Sequence, residues 1–546
     1  MPKGGRYGHK PQQRPHRHPS TWPQYPYDEP PPTPERSEPR YGIHAWTDVR
    51  IPVRDGTKLA TDIYRPYAPE QRFPALVSFS PYTRQLQQTV IPLGQNEAGI
   101  TEFWVPRGYA HVIVDLRGSN DSGGSWDFFG PTEQQDMYDV IEWVAEQPWC
   151  DGNVGMMGCS YFGMTQLLVA ELRPPHLKAV FPYDAETDMY RDWFYHGGIT
   201  SSGGRTWLTW VQVENLRSGR LKDTSGIIKH SQAAMGLEHP LDGPYWQERS
   251  SWPRLGQINI PVYFGCDWQF LELHLRGAFQ GWEETGNIPK RLLLGPRSTP
   301  RRPWAAYHME ALRWYDHWLK GMDTRVMEGP PLRLYIPGDD HWRSESEWPL
   351  ARTQWRELFL GGPEGGLEGR LLDAAGPDGE RSYNYDPHNR EVLYGRPCLV
   401  YRSDPVQREL EITGPIALYL HAASSATDTD WYVRLYDEGP DGQARLLCKG
   451  WLRASHREVD PGRSKPWQPW HPHGREEPLV PKEAYEFPIE IWPTSNVFRP
   501  GHRIRLEVGS SDTLVQGLAM PNLMPPPATN TVLEGRSYPS RLLLPV

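Results

Sequence analysis

The sequence predicts an α/β fold built on a parallel sheet, with an all-β domain following it, and three observations carry that expectation. Short apolar runs without alternation recur at Ala75 to Phe79, Ala110 to Val114, Val154 to Met157, Val262 to Phe264 and Leu292 to Leu294. Strands apolar on both faces belong to a sheet covered by helices on each side. Between them lies helical periodicity: Thr132 is followed by Gln135 in a capping-box pattern, and Met137, Val140, Ile141 and Val144 recur at helical spacing until Pro148. From about residue 351, short strands such as Ile416 to His421 and Trp431 to Tyr436 alternate with Pro, Gly and Asp turns, the texture of an all-β domain.

A chain of 546 residues exceeds what one hydrophobic core serves, so at least two cores are expected. Twenty-four Trp, 27 Tyr and 57 Pro point to an aromatic, loop-rich globular protein. The net charge of −9 leaves no basic surface for nucleic acid. Residues 1–40 are rich in Pro, His, Arg and Gln and read as a disordered arm. His9, His16 and His18 on that arm lack acidic or thiol partners, so no metal or other cofactor is expected. Five scattered cysteines, Cys150, Cys159, Cys266, Cys398 and Cys448, fit neither a zinc site nor a disulfide framework and suggest a reducing compartment. With no secretory or membrane-spanning apolar run, a cytoplasmic protein without a membrane partner is expected.

The most informative segment follows the run ending at Met157: Gly158-Cys159-Ser160-Tyr161-Phe162-Gly163, then a helix-like stretch from Met164 to Ala170. A serine on a sharp strand-to-helix turn needs small neighbours because its backbone is strained. Gly158 and Gly163 supply them, although Phe162 stands where the strict G-x-S-x-G form has its second glycine. This context predicts an α/β-hydrolase domain with Ser160 as nucleophile.

Around that elbow the chain resembles the hydrolases grouped with cocaine esterase, α-amino-acid ester hydrolases and X-prolyl dipeptidyl-peptidases. The resemblance rests on Ile51 to Leu59, Ser80-Pro81-Tyr82, Asp115-Leu116-Arg117-Gly118, Trp149 to Gly155 leading into the elbow, and Arg313 to Gly321. Thr429-Asp430-Trp431 and Arg499 to Leu506 extend it into the C-terminal part. The resemblance implies an α/β-hydrolase domain (41–182 and 256–350), an inserted helical cap (183–255) and a C-terminal β jelly roll (351–546).

It also implies roles. Tyr161 N–H and the Tyr82 phenol would meet the oxyanion. The family's acid lies two residues after a Trp in a Gly-Trp-Tyr-Asp stretch, whereas this chain reads Gly265-Cys266-Asp267-Trp268, which leaves Asp267 or Glu272 as candidates. The family's histidine loop appears as Gly295-Pro296-Arg297-Ser298-Thr299, with Thr299 in the imidazole's place; His308 is the nearest replacement and His274 the alternative. The expected function is ester or amide cleavage through an acyl-enzyme on Ser160. Acid–base chemistry without that intermediate and a binding protein that has lost catalysis are the alternatives. Trp193, Phe194, Tyr195, Trp207 and Trp210 suggest a small apolar or aromatic substrate. Self-association into a homo-oligomer is also plausible by resemblance.

Overall fold

The computed structural model describes residues 33–85, 97–217, 237–296, 307–363, 366–512 and 525–546. Ten strands form its first sheet: β1 (Ile43–Pro52), β2 (Lys58–Pro66), β3 (Phe73–Ser80), β4 (Ala110–Asp115), β5 (Cys150–Cys159), β6 (Leu177–Tyr183), β7 (Val262–Asp267), β8 (Lys290–Gly295), β9 (Leu332–Ile336) and β10 (His341–Glu345). Their order is β1-β2-β4-β3-β5-β6-β7-β8-β9-β10. It is parallel from β4 to β9, with antiparallel pairs at both edges. All five apolar runs fall in these strands and are buried, as a sheet covered on both faces requires.

Helix α1 (Pro131–Ala145) starts earlier than the Thr132 capping box predicts. Gly130 is its N-cap and Pro131 its first residue, where a fixed φ and a missing N–H cost nothing. Glu133 then accepts from Phe129 N at 3.2 Å, satisfying a donor just outside the helix. Helix α2 (Tyr161–Ala170) is buried along its whole length, so it shows no amphipathic stripe. It packs with α1 and α4 (Leu275–Glu284) on one face of the sheet, and α5 (His308–Lys320) covers the other.

Between β6 and β7 the chain forms a π-helical turn at Tyr190–Phe194, a two-residue hairpin, helix α3 (Ser202–Arg217) and a short helix at Pro244–Arg249. The arm expected over residues 1–40 lies outside the described residues up to position 32. Beyond that it is held against α5: Glu35 N donates to Asp323 O, and Ser37 Oγ to Asp316 at 2.6 Å.

The C-terminal domain has its own core, in which Trp431, Phe487, Ile489 and Leu542 meet. Its strands are β11 (Trp355–Gly361), β12 (Glu368–Leu372), β13 (Gly379–Tyr385), β14 (Cys398–Arg402), β15 (Leu410–Ser424), β16 (Asp430–Glu438), β17 (Ala444–Arg453), β18 (Tyr485–Phe498), β19 (Arg503–Gly509), β20 (Ala528–Glu534) and β21 (Arg541–Pro545). Nine of them close on themselves as β15-β18-β17-β16-β19-β14-β12-β11-β21, with β21 pairing back onto β15. Closure leaves no free edge within that ring. All five cysteines are buried and none is in a disulfide. Among the described residues, no helix is long and apolar enough to cross a membrane.

Candidate active site

Ser160 stands between β5 and α2 with φ 60° and ψ −125°, a conformation that costs a non-glycine residue about 1–3 kcal/mol. Three backbone bonds hold it there: Ser160 N donates to Tyr183 O at 2.9 Å, and Gly163 N and Met164 N donate to Ser160 O at 2.7 and 2.9 Å. Gly158 has φ 130°, and a Cβ there would lie 2.4 Å from Phe162 Cβ and 2.7 Å from Glu97 O. At Gly163 a Cβ would come 2.6 Å from Tyr183 O. The glycine displaced by one position is therefore the one that lets α2 approach β6, while Phe162 fits because Gly158 has no side chain.

Tyr82 lies just past β3, and its ring is 6.3 Å from that of Tyr161 and 6.0 Å from that of Phe162. Its position traces to Arg84, a buried guanidinium that pairs with Asp115 and with Asp62 at 3.0 Å, while Asn120 Nδ2 donates to Pro81 O at 2.9 Å. Asp115 is thus an anchor for the Tyr82 turn. Trp207 of α3 donates its indole N–H to the Tyr82 oxygen at 3.1 Å and stacks on Tyr161 at 5.8 Å. Phe129 stacks on the other side of Tyr161 at 4.0 Å, and Phe128 and Trp193 extend the aromatic wall.

Behind this wall lies a residue that sequence reading missed. The Tyr161 hydroxyl donates to Glu133 Oε1 at 2.9 Å and accepts from Trp126 at 3.3 Å. Burial pushes the Glu133 carboxyl up to about 8. A folded-state value above the unfolded one means that the folded state holds the proton longer, so this group's contribution to stability falls as pH rises from about 4.5 to about 8. Glu133→Gln is expected to flatten urea stability across that window by up to about 1.4 kcal/mol per pH unit. Parallel curves for the two proteins would refute this assignment.

Asp267 ends β7, and strand alternation turns it to the α5 face with Tyr263, whereas Phe264 and Cys266 face α2. Its Oδ1 accepts from the Tyr183 phenol at 2.9 Å. A Cβ at Gly295 would meet Asp267 Oδ1 at 2.0 Å and Tyr307 Oη at 2.4 Å, so that glycine leaves room for both. The residue before α5 that reaches Asp267 is therefore Tyr307. His308, the next residue, stacks on Phe103 at 4.9 Å and meets Trp104 edge-on at 5.6 Å. Burial, with Arg107 and His111 nearby, lowers its imidazole to about 3. A ring so weakly basic is a poor proton acceptor at neutral pH.

Glu272 pairs with Lys449 of β17, which also bonds Asp512 at 3.0 Å. It thus ties the hydrolase domain to the C-terminal barrel. His274, the N-cap of α4, places Nδ1 2.9 Å from Glu186 Oε1, with both side chains buried. Thr299 lies outside the described residues. No group of three or more His, Cys, Asp or Glu side chains suited to a metal ion occurs among the described residues.

A strained serine between strand and helix at the C-terminal end of a parallel sheet, in this strand order, defines an α/β-hydrolase. The sequence model of the X-Pro dipeptidyl-peptidase (S15) family matches residues 55–298, ending one residue before Thr299, and that of the X-Pro dipeptidyl-peptidase C-terminal non-catalytic domain matches residues 324–543. The chain belongs to this family of hydrolases, which includes cocaine esterase. It is 29% identical to the cocaine esterase of Rhodococcus sp. (strain MB1 Bresler), over 92% of this chain and 98% of that one. A putative Xaa-Pro dipeptidyl-peptidase of Streptomyces avermitilis is 23% identical over 89% of this chain and 81% of its own. The solved structure of a CocE/NonD family hydrolase from Staphylococcus aureus superposes with a TM-score of 0.80 at 27% identity, over 92% of this chain and 94% of that one. These relatives are serine hydrolases, esterases and dipeptidyl-peptidases.

Proposed function

We propose that the protein is a serine hydrolase that forms an acyl-enzyme on Ser160 from a small ester or amide with an apolar or aromatic acyl group. The observation that carries this reading is the elbow itself. Its backbone strain is held by three hydrogen bonds and two close glycine contacts, an arrangement that a merely structural serine does not require.

The Tyr161 N–H and the Tyr82 phenol serve as oxyanion donors. Because Trp207 donates to the Tyr82 oxygen, the phenol's own hydrogen is the one it offers, and the bond it receives strengthens the bond it gives. Residues 183–255 act as a cap whose aromatics, Trp193 and Trp207 foremost, receive the acyl group. The reaction needs no cofactor.

Activated p-nitrophenyl esters of increasing acyl size test this. Each buried methylene contributes about 0.8 kcal/mol, so kcat/KM is expected to rise about fourfold per methylene. Trp207→Ala is expected to flatten the series, and a series flat in the unaltered protein would sink the proposed acyl pocket.

One observation favours a second reading, acid–base chemistry without an acyl-enzyme: the Asp267 carboxylate accepts from the Tyr183 phenol at 2.9 Å, a pair of groups able to exchange a proton. Turnover of a substrate at an unaltered rate by Ser160→Ala would select it.

A further inference from the structure

The aspartate that could stand in as acid is bound by a phenol and the expected base position holds a threonine, yet the described residues contain a buried histidine–carboxylate pair elsewhere at the same end of the sheet. We propose that His274 and Glu186 are the catalytic base and its orienting acid for Ser160. This rests on the reading of Ser160 as the nucleophile.

The placement comes from a chain of close contacts. Gly163, in the first turn of α2, has a would-be Cβ 3.2 Å from Ala185 Cβ. Gly277, in the first turn of α4, has one 2.4 Å from Ala185 O and 2.8 Å from Glu186 Cα. Residues 184–187 are thus wedged between the first turn of the nucleophile's helix and that of α4. His274 is the N-cap of α4, so the pair lies on the α2 face of the sheet, whereas Asp267 and Tyr307 occupy the α5 face.

Local geometry is that of an oriented base. Glu186 Oε1 lies 2.9 Å from Nδ1, a contact that favours the proton on Nδ1 and would leave Nε2 to exchange the proton with Ser160. Both side chains are about 99–100% buried, and His274 holds φ 68°, a strained conformation for a non-glycine residue. Phe270 packs edge-on against the ring at 4.9 Å, limiting its rotation.

In the reaction, Ser160 Oγ forms a bond to the acyl carbon as its proton passes to His274 Nε2. The carbon–leaving-group bond breaks, and the departing oxygen or nitrogen takes that proton. Water then attacks the acyl-enzyme by the same route, and Ser160 recovers its proton. Glu186 orients the ring through Nδ1 throughout.

The test is the rate of intact-mass labelling by a fluorophosphonate, whose phosphorus bonds to an activated serine oxygen as fluoride leaves. His274→Asn and Glu186→Gln are compared with the unaltered protein and with His308→Phe, and a thermal melt shows which variants fold. The expected result is labelling at Ser160 that slows at least a thousandfold in His274→Asn and about tenfold to a hundredfold in Glu186→Gln, with His308→Phe unchanged. If either folded dyad variant labels at the unaltered rate, the pair is structural and the inference fails while the Ser160 reading stands. If the unaltered protein does not label at all, both fail together. If His274→Asn does not fold, Glu186→Gln decides.

Discussion

Ester turnover by the Ser160→Ala variant is expected to fall about a million-fold, leaving at most roughly 10³ to 10⁴ over water from the oxyanion donors and binding. The fold should survive, because the bonds that hold the elbow run through the Ser160 backbone and not its hydroxyl. Alanine keeps the strain of φ 60°, so its stability stays close to that of the unaltered protein. Glycine at the same position relieves that strain and is expected to be the more stable of the two dead variants. A Ser160→Ala protein that turns over esters at more than a thousandth of the normal rate would contradict the acyl-enzyme.

The second large effect concerns the seam between the domains. Lys449 of the barrel is about 1% exposed and sits between Glu272 of the hydrolase domain and Asp512, each about as deeply buried. Burial already pushes Glu272 up to about 8 despite the lysine's opposing charge. Removing the cation with Lys449→Met leaves two buried carboxylates without it, and breaking a buried pair in this way costs about 3–5 kcal/mol. The variant must take up protons on folding, so its deficit grows as pH rises. Urea unfolding at pH 5 and pH 8 checks both points. A triple variant that also carries Glu272→Gln and Asp512→Asn should recover much of the loss, because neutral amides need no cation. An unchanged midpoint for Lys449→Met at pH 8 would show that the seam does not depend on the triad.

How much of this was legible in the sequence depends on the range of the interactions involved. The parallel sheet was readable because each of its central strands is apolar on both faces, a local property. So was the elbow, where Gly158, Ser160 and Gly163 sit within six residues. The start of α1 was misplaced because Thr132 mimics a cap, while Gly130 and Pro131 provide the actual one. Asp267's direction was recoverable in principle: once β7 is known to end at residue 267, alternation assigns that side chain to the face of Tyr263, away from Cys266.

The choice between Tyr307 and His308 was not legible. Neighbouring residues at a helix start differ by about 100° in direction, and only packing against Phe103 and Trp104 decides which one faces the sheet end. Glu133 hides in an amphipathic pattern as an ordinary first-turn acid. Glu186 and His274 are 88 positions apart and come together only when β6 and β7 pair.

The central claim is that this chain is an active serine hydrolase working through Ser160, and labelling by a fluorophosphonate followed by peptide mapping tests it most directly. The expected result is one added phosphonyl group on the unaltered protein, mapped to Ser160 and lost in Ser160→Ala. An unlabelled protein, or a label on any other residue, would contradict it.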